Sequence, residues 1–232
     1  MNLLAFDTST ETMSVAVQRG AHGVWQHIGA GGAQTSASMI PVIQGLMAQA
    51  QLQFAQLDAI VFGRGPGSFT GLRTACSVAQ GLAFGADVHV LPIDTLLAMA
   101  EQARFEHAAT AQRMQVLALL DARMDEMYAA GYLYDSGRWT QTEDCRLLRP
   151  ENLSCDPQTL LAGNVFAAYG ARLAPSAAQR VAALPTASAL LRLAPALLAA
   201  GLALPAEQAL PLYIRDKVAS TSLERAAQKL AP

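Results

Sequence analysis

The chain has 232 residues, a formal net charge of −2, 52% hydrophobic residues and only 15% charged ones. That balance supports a sizeable core in one large domain or two small ones, and it excludes a disordered chain. It also gives no global attraction for nucleic acid, which calls for clustered Lys and Arg.

Residues 3–6 read as a buried strand ending at Asp7, residues 13–18 as a second strand and residues 23–28 as a third. Ser36 or Ser38 is placed to cap a helix over about 39–52, with Pro41 in its first turn. A short apolar run, 59–62, predicts another buried strand. Gly63, Gly65, Pro66 and Gly67 then turn the chain, and Ser68 or Thr70 is placed to cap a helix over 69–84. A strand at 89–92 leads to Asp94, an N-cap for a helix through Glu106. The pattern then restarts. Residues 116–120 form an apolar strand ending at Asp121, and 127–134 form the next. Placing Asp7 on Asp121 places Met13 on Met127, and L-L-A-G-N at 160–164 echoes I-V-F-G-R at 60–64. Two similar α/β halves or chance both account for so few repeated residues. The Ala/Leu-rich stretch 187–204 is interrupted by Arg192 and Pro195. It reads as a buried or partner-facing helix, not a membrane span.

Cys76, Cys145 and Cys155 are odd in number and form no C-x-x-C, which fits free thiols in the cytosol. The N-terminus reaches Asp7 with no basic leader or long apolar run, so no signal peptide is expected.

The chemistry concentrates around the glycine turn. A strand, a glycine turn and a helix start converge free backbone N–H groups, a point that favours an anion. The residues there are Asp7, Thr8, Ser9, Gly65, Gly67, Ser68, Thr70 and Arg73. The spacing is neither a Walker A loop, since Gly71 is followed by Leu72 and Arg73, nor a dinucleotide fingerprint. Turn chemistry and close helix packing alone also account for the glycines. Asp7 and Asp121 end strands where α/β proteins place functional carboxylates, but no glycine follows Asp7, and both side chains can equally cap their own turns. The histidines His22, His27, His89 and His107 form no H-x-x-x-H or H-E-x-x-H pair, so no metal site is expected. Ser68 lies in G-P-G-S-F and not in G-x-S-x-G, so no catalytic residue is assigned. Met39, Ile43, Leu46 and Met47 on the first helix make more than a narrow apolar stripe. With Leu72, Ala75 and Ala79 on the second, they are candidate contact residues for a partner; ordinary burial explains them too.

The string G-R-G-P-G-S-F-T-G-L-R, the opening L-L-A-F-D-T-S-T-E-T-M-S-V-A-V, A-Q-G-L-A at 79–83, L-D-A-R-M-D-E-M-Y at 120–128 and P-L-Y-I-R-D-K-V-A at 211–219 resemble one family. It is the TsaB (YeaZ) family of bacterial tRNA threonylcarbamoyladenosine biosynthesis proteins. The resemblance spans the chain, thinly between residues 146 and 210. It implies an α/β fold of the actin-like, Hsp70-like ATPase (ASKHA) type with two related βαβ-type subdomains. Residues 1–109 would form the first and 110–232 the second, with the C-terminal tail returning to the first. It implies a non-catalytic partner of the paralogous transferase TsaD, whose H-x-x-x-H pattern this chain lacks. The ATPase TsaE would dock on the pair, and the two helices that meet TsaD would otherwise form a homodimer. Transfer RNA would be reached only through the complex, with no tightly bound cofactor and at most weak ATP or ADP association. Many members carry a His near Gln34, where this chain has Gln34-Thr35, a departure that weakens any imidazole-based role there. A metallo-glycoprotease-like peptidase and an independent nucleotide hydrolase are the rival readings.

Overall fold

The structure is a computed structural model, and it describes residues 1–32 and 35–215. Gln34 and residues 216–219 of the last motif lie outside the described residues. The elements are β1 (Asn2–Asp7), β2 (Thr12–Arg19), β3 (Gly23–Ala30), α1 (Thr35–Gln49), β4 (Ala59–Gly65), α2 (Phe69–Ala86), β5 (Val90–Asp94) and α3 (Thr95–His107). They continue with β6 (Arg113–Asp121), β7 (Met127–Asp135), β8 (Arg138–Leu148), β9 (Leu160–Gly163), α4 (Phe166–Tyr169), β10 (Arg180–Ala182) and α5 (Ala187–Ala199).

Two five-stranded sheets result, in the orders β3-β2-β1-β4-β5 and β10-β9-β6-β7-β8. In each, the first strand pairs antiparallel with the second and parallel with the fourth, the second pairs antiparallel with the third, and the fourth pairs parallel with the fifth. The halves therefore repeat one topology, that of the actin-like, Hsp70-like ATPase fold. The repeat differs by one residue from the sequence alignment. Asp7 pairs with Ser14 and Asp121 with Met127, so Ser14 and not Met13 is the counterpart of Met127. The first turn, 8–13, is one residue longer than the second, 122–126.

Strands buried on both faces explain the uninterrupted apolar runs. Alternate side chains of β1 and β4 face opposite ways: Leu4, Phe6, Ile60 and Phe62 pack under α1 and α2, while Leu3, Ala5, Ala59 and Val61 pack under α5. In the second sheet Val116, Ala118 and Leu120 pack against α3. Thus α3 and α5 form a layer between the sheets, each covering the sheet of the other half. Each large apolar side chain so buried contributes about 1.5–3 kcal/mol. Within the stretch 187–204 the helix is α5, buried along one face through Ala187, Leu190, Leu191 and Ala194, and Thr186 Oγ1 caps it by accepting from Ala189 N at 3.1 Å. Among the described residues no helix is long and apolar enough to cross a membrane.

Several local expectations are corrected. Helix α1 starts at Thr35, so Ser36 and Ser38 lie inside its first turn and Pro41 in its second. Ser38 Oγ donates back to the Thr35 carbonyl at 3.5 Å. Asp94 stands at the N-cap of α3 without a capping bond, because its carboxylate takes Arg64 at 2.5 Å. Strands β8 and β10 carry no readable sequence signal. Both lie at sheet edges, and R-W-T-Q-T-E-D-C-R-L-L is mostly exposed, so no apolar alternation marks it.

Candidate functional site

Three glycines, Gly63 near the end of β4, Gly67 in the β4–α2 loop and Gly71 in the first turn of α2, lie against Asp7 and the turn that follows it. A Cβ on Gly63 would overlap the Asp7 carboxylate, and one on Gly71 would overlap the Thr8 carbonyl. One on Gly67 would fall 2.5 Å from the Ser9 carbonyl oxygen. Direct hydrogen bonds close the contact: Ser68 N donates to Ser9 O at 2.7 Å, and Thr8 Oγ1 donates to Gly71 O at 2.7 Å. The start of α2 thus receives a carbonyl of its own chain. Asp7 is 1% exposed. Its Oδ1 accepts from Ser9 N at 2.8 Å and Ser9 Oγ at 2.6 Å, while Oδ2 is buried with no partner among the described residues. Burial pushes its carboxyl up from the usual range, only partly offset by the bonds from Ser9.

Asp121 repeats the arrangement in the second half: its Oδ1 accepts from Arg123 N at 2.8 Å and from Tyr169 OH at 2.7 Å. Both aspartates therefore hold their own turns through the N–H two residues on. Between the two turns lies a cleft of about 300 Å³, walled by Ser9, Gly67 and Ser68 on one side and by Asp121, Arg123 and Asn164 on the other. Arg123 crosses it to pair with Glu11. Arg123, Met124 and Asp125 all have positive φ, and Arg123 and Met124 line the cleft. Arg215 also lines the cleft and pairs with Glu126 at 2.6 Å.

The candidate loop residues divide into three groups. Ser9, Gly67 and Ser68 face the cleft. Asp7, Thr8 and Gly65 are buried behind it. Thr70 and Arg73 turn away, to a groove shared with Ser36 and Val78. Arg73 lies 3.7 Å over the Phe69 ring and donates Nε to Tyr213 OH at 3.1 Å, so it joins no anion site at the loop. Gly65, at φ +119°, lies under a C-terminal segment whose Leu212 N donates to Arg64 O at 2.7 Å. Ser68 occupies the N-cap of α2, but its side chain makes no capping bond. Sequence reasoning missed Glu11, Arg123, Asn164 and Arg215; Glu11, Arg123 and Arg215 stand inside strings that carry the family resemblance, and Asn164 inside the L-L-A-G-N repeat.

The seven candidate contact residues need the plainest correction. Met39, Ile43, Leu46, Met47, Ala75 and Ala79 belong to the chain's own core, and Leu72 is 1% exposed. An apolar stripe wider than usual meant deeper burial, because α1 and α2 cover a whole sheet face. The outward residues are different: Pro41, Gln44, Gly45 and Ala48 on α1, and Thr70, Arg73, Ser77, Gly81 and Phe84 on α2. Phe84 is 81% exposed. Arg73 is the only charged residue in either helix.

The family model described as TsaD, tRNA N6-adenosine threonylcarbamoyltransferase, matches residues 32–153. The tRNA threonylcarbamoyladenosine biosynthesis protein TsaB of Haemophilus influenzae is 36% identical over 230 residues, covering 94% of this chain and 95% of the relative. The chain belongs to the TsaB family. The TsaB protein of Escherichia coli is 33% identical, covering 94% of this chain and 96% of its own. The solved structure of YeaZ from Pseudomonas aeruginosa superposes with a TM-score of 0.82 at 36% identity, over 91% of this chain and 99% of that one. Similarity to TsaB proteins thus extends through the β4–α2 loop, both aspartate turns and the α1–α2 pair.

Proposed function

We propose that this TsaB-family chain is a non-catalytic partner subunit of the transferase TsaD. The pair would act where a threonylcarbamoyl group is moved to the tRNA adenosine next to the anticodon. The observation that carries the non-catalytic part is the closed glycine loop. Where an ATPase of this fold would receive phosphate, Gly63, Gly67 and Gly71 accommodate Asp7, Ser9 and Thr8 of the same chain. No glycine follows Asp7 to let backbone approach a phosphate there. Tight nucleotide binding is therefore not expected, and ATP or ADP would associate weakly, in the complex, along the Ser9–Gly67–Ser68 wall.

The docking surface in this reading is the outer face of α1 and α2, not the buried stripe. Two helices whose only charge is Arg73 present small residues and an almost fully exposed Phe84, a combination suited to close helix packing against a partner. TsaE would dock on the assembled pair, and a second copy of this chain would take the same face when TsaD is absent. Residues 1–109 and 110–232 would act as the two subdomains, a division supported by one whole sheet in each. With net charge −2, contact with tRNA would come through the complex. Three free thiols suit a cytoplasmic setting.

The test is co-purification with TsaD followed by size exclusion and a transfer assay. A stable pair that is active, with an isolated chain that is inert, is expected. Transfer by a preparation free of TsaD, or ATP turnover by the isolated chain, would move the assignment to an enzyme.

A further inference from the structure

We propose that the cavity between α3, α5 and the β7–β8 turn binds a small organic anion with an aromatic or aliphatic body. This goes beyond the partner role and does not depend on it. The cavity measures about 680 Å³. It lies at the far end of the second sheet from the cleft, because Asp135 at the turn pairs with Arg113 while Asp121 pairs with Met127. Ligand sites of about 300–1,000 Å³ at the junction of two structural halves, mostly apolar with a few fixed polar groups, are the usual kind.

Its walls fit that description. Leu97, Leu193 and Leu197 supply aliphatic surface, and the Trp139 and Tyr134 rings, centroids 5.1 Å apart, supply an aromatic one. Four charged residues line it: Glu101, Arg104, Arg138 and Arg192. Glu101 is 3% exposed and fully engaged. Its Oε1 accepts from Arg104 Nη2 at 2.9 Å and Arg192 Nε at 2.8 Å, and its Oε2 from Arg104 Nε at 2.8 Å and Trp139 Nε1 at 3.0 Å. One carboxylate thus serves two guanidiniums. Arg138 has no ion pair among the described residues. Three cations therefore face one saturated anion, in a chain whose overall charge is −2.

The cations are also held in place. Arg104 stacks 4.6 Å from the Tyr134 ring centroid and Arg192 4.1 Å from that of Phe105. Planar guanidiniums fixed this way match the oxygens of a carboxylate, sulfonate or phosphate group. The volume and the apolar walls call for an organic body behind that group, which an inorganic ion lacks.

The test uses a Trp25→Phe protein, so that emission reports Trp139, titrated with 4-phenylbutyrate. A saturable change is expected, with binding at least about tenfold weaker for 4-phenylbutanamide, since a hydrogen bond to a charged group exceeds a neutral one by that order. Arg192→Gln should weaken binding similarly. Arg138→Gln should weaken it too, and being exposed and unpaired it leaves the fold intact, which keeps the test decisive. Inorganic phosphate should fail to displace the probe at equal concentration. No saturable change up to about 10 mM, a concentration above the millimolar range of weak binding, would overturn the proposal. So would equal binding of the amide, indifference to Arg138→Gln, or displacement by phosphate.

Discussion

Gly67→Ala tests whether the glycine loop is closed by its own chain. The added Cβ would sit 2.5 Å from Ser9 O, 2.6 Å from Ser9 Cβ and 3.1 Å from Ser9 C. None of these is the far end of a flexible side chain, so loop and turn must separate. Overpacking of this kind costs about 1–3 kcal/mol. Separation also stretches the 2.7 Å bond from Ser68 N to Ser9 O, which removes about 0.5–1.5 kcal/mol more. Replacing glycine stiffens the unfolded chain and returns about 0.4–1 kcal/mol. The net is a loss of about 2 kcal/mol, dominated by the clash. For a chain of this length that corresponds to a fall in Tm of about 4–8 °C. Urea unfolding followed by circular dichroism reads the first quantity, and a thermal scan the second. Gly81→Ala is the matched control: nothing lies within 4 Å of its added Cβ, and as an exposed helix position it should gain about 0.5–1 kcal/mol. A Gly67→Ala protein as stable as the parent would mean that loop and turn do not touch, and the loop would again be free to receive an anion.

Two buried carboxylates should show opposite pH signatures. Asp7 has a raised folded pKa, so its contribution is fully present below its unfolded value of 3.8 and is lost as pH rises through the folded one; Asp7→Asn should raise stability at pH 7 and flatten that slope in pH-dependent urea melts. Burial pushes Glu101 up, but bonds from Arg104, Trp139 and Arg192 outweigh it and hold its carboxyl below 4.5; its contribution is present above that value and is lost as pH falls. Glu101→Gln should cost about 3–5 kcal/mol at pH 7, by leaving two guanidiniums without their carboxylate; a loss under half of that would show that the network is not a buried ion cluster. Phe84→Asp should leave Tm unchanged, since the ring is 81% exposed, yet weaken association with TsaD by about 2 kcal/mol or more, read by isothermal titration. The isolated chain should bind tRNA weakly at physiological salt in a filter or mobility assay, with tight binding contradicting the charge argument.

What the sequence made legible was whatever burial on both faces or turn chemistry enforces. Leu3 to Phe6 and Val116 to Leu120 could be read as strands because an apolar run between two helical layers tolerates nothing else. The glycines of the β4–α2 loop were conspicuous, but their type alone could not separate a phosphate cradle from close packing. Only the positions of Asp7, Thr8 and Ser9 decide that, and those are long-range facts. The same limit inverted the contact face. Met39, Ile43, Leu46 and Met47 form a stripe that sequence cannot assign to a core or a partner, and the core took it. Arg123 and Arg215 became cleft residues through turns and a returning segment that no local pattern encodes. Edge strands β8 and β10 were invisible because most of their side chains face water.

The most direct test of the central claim is a reconstituted transfer reaction with purified TsaD, this chain and Phe84→Asp, each alone and in pairs, analysed alongside size exclusion. The account predicts no transfer by this chain alone, a co-eluting active pair with TsaD, and loss of both co-elution and activity for Phe84→Asp while its fold and Tm persist. Transfer by the chain without TsaD, or an unaltered active pair carrying Phe84→Asp, would contradict it.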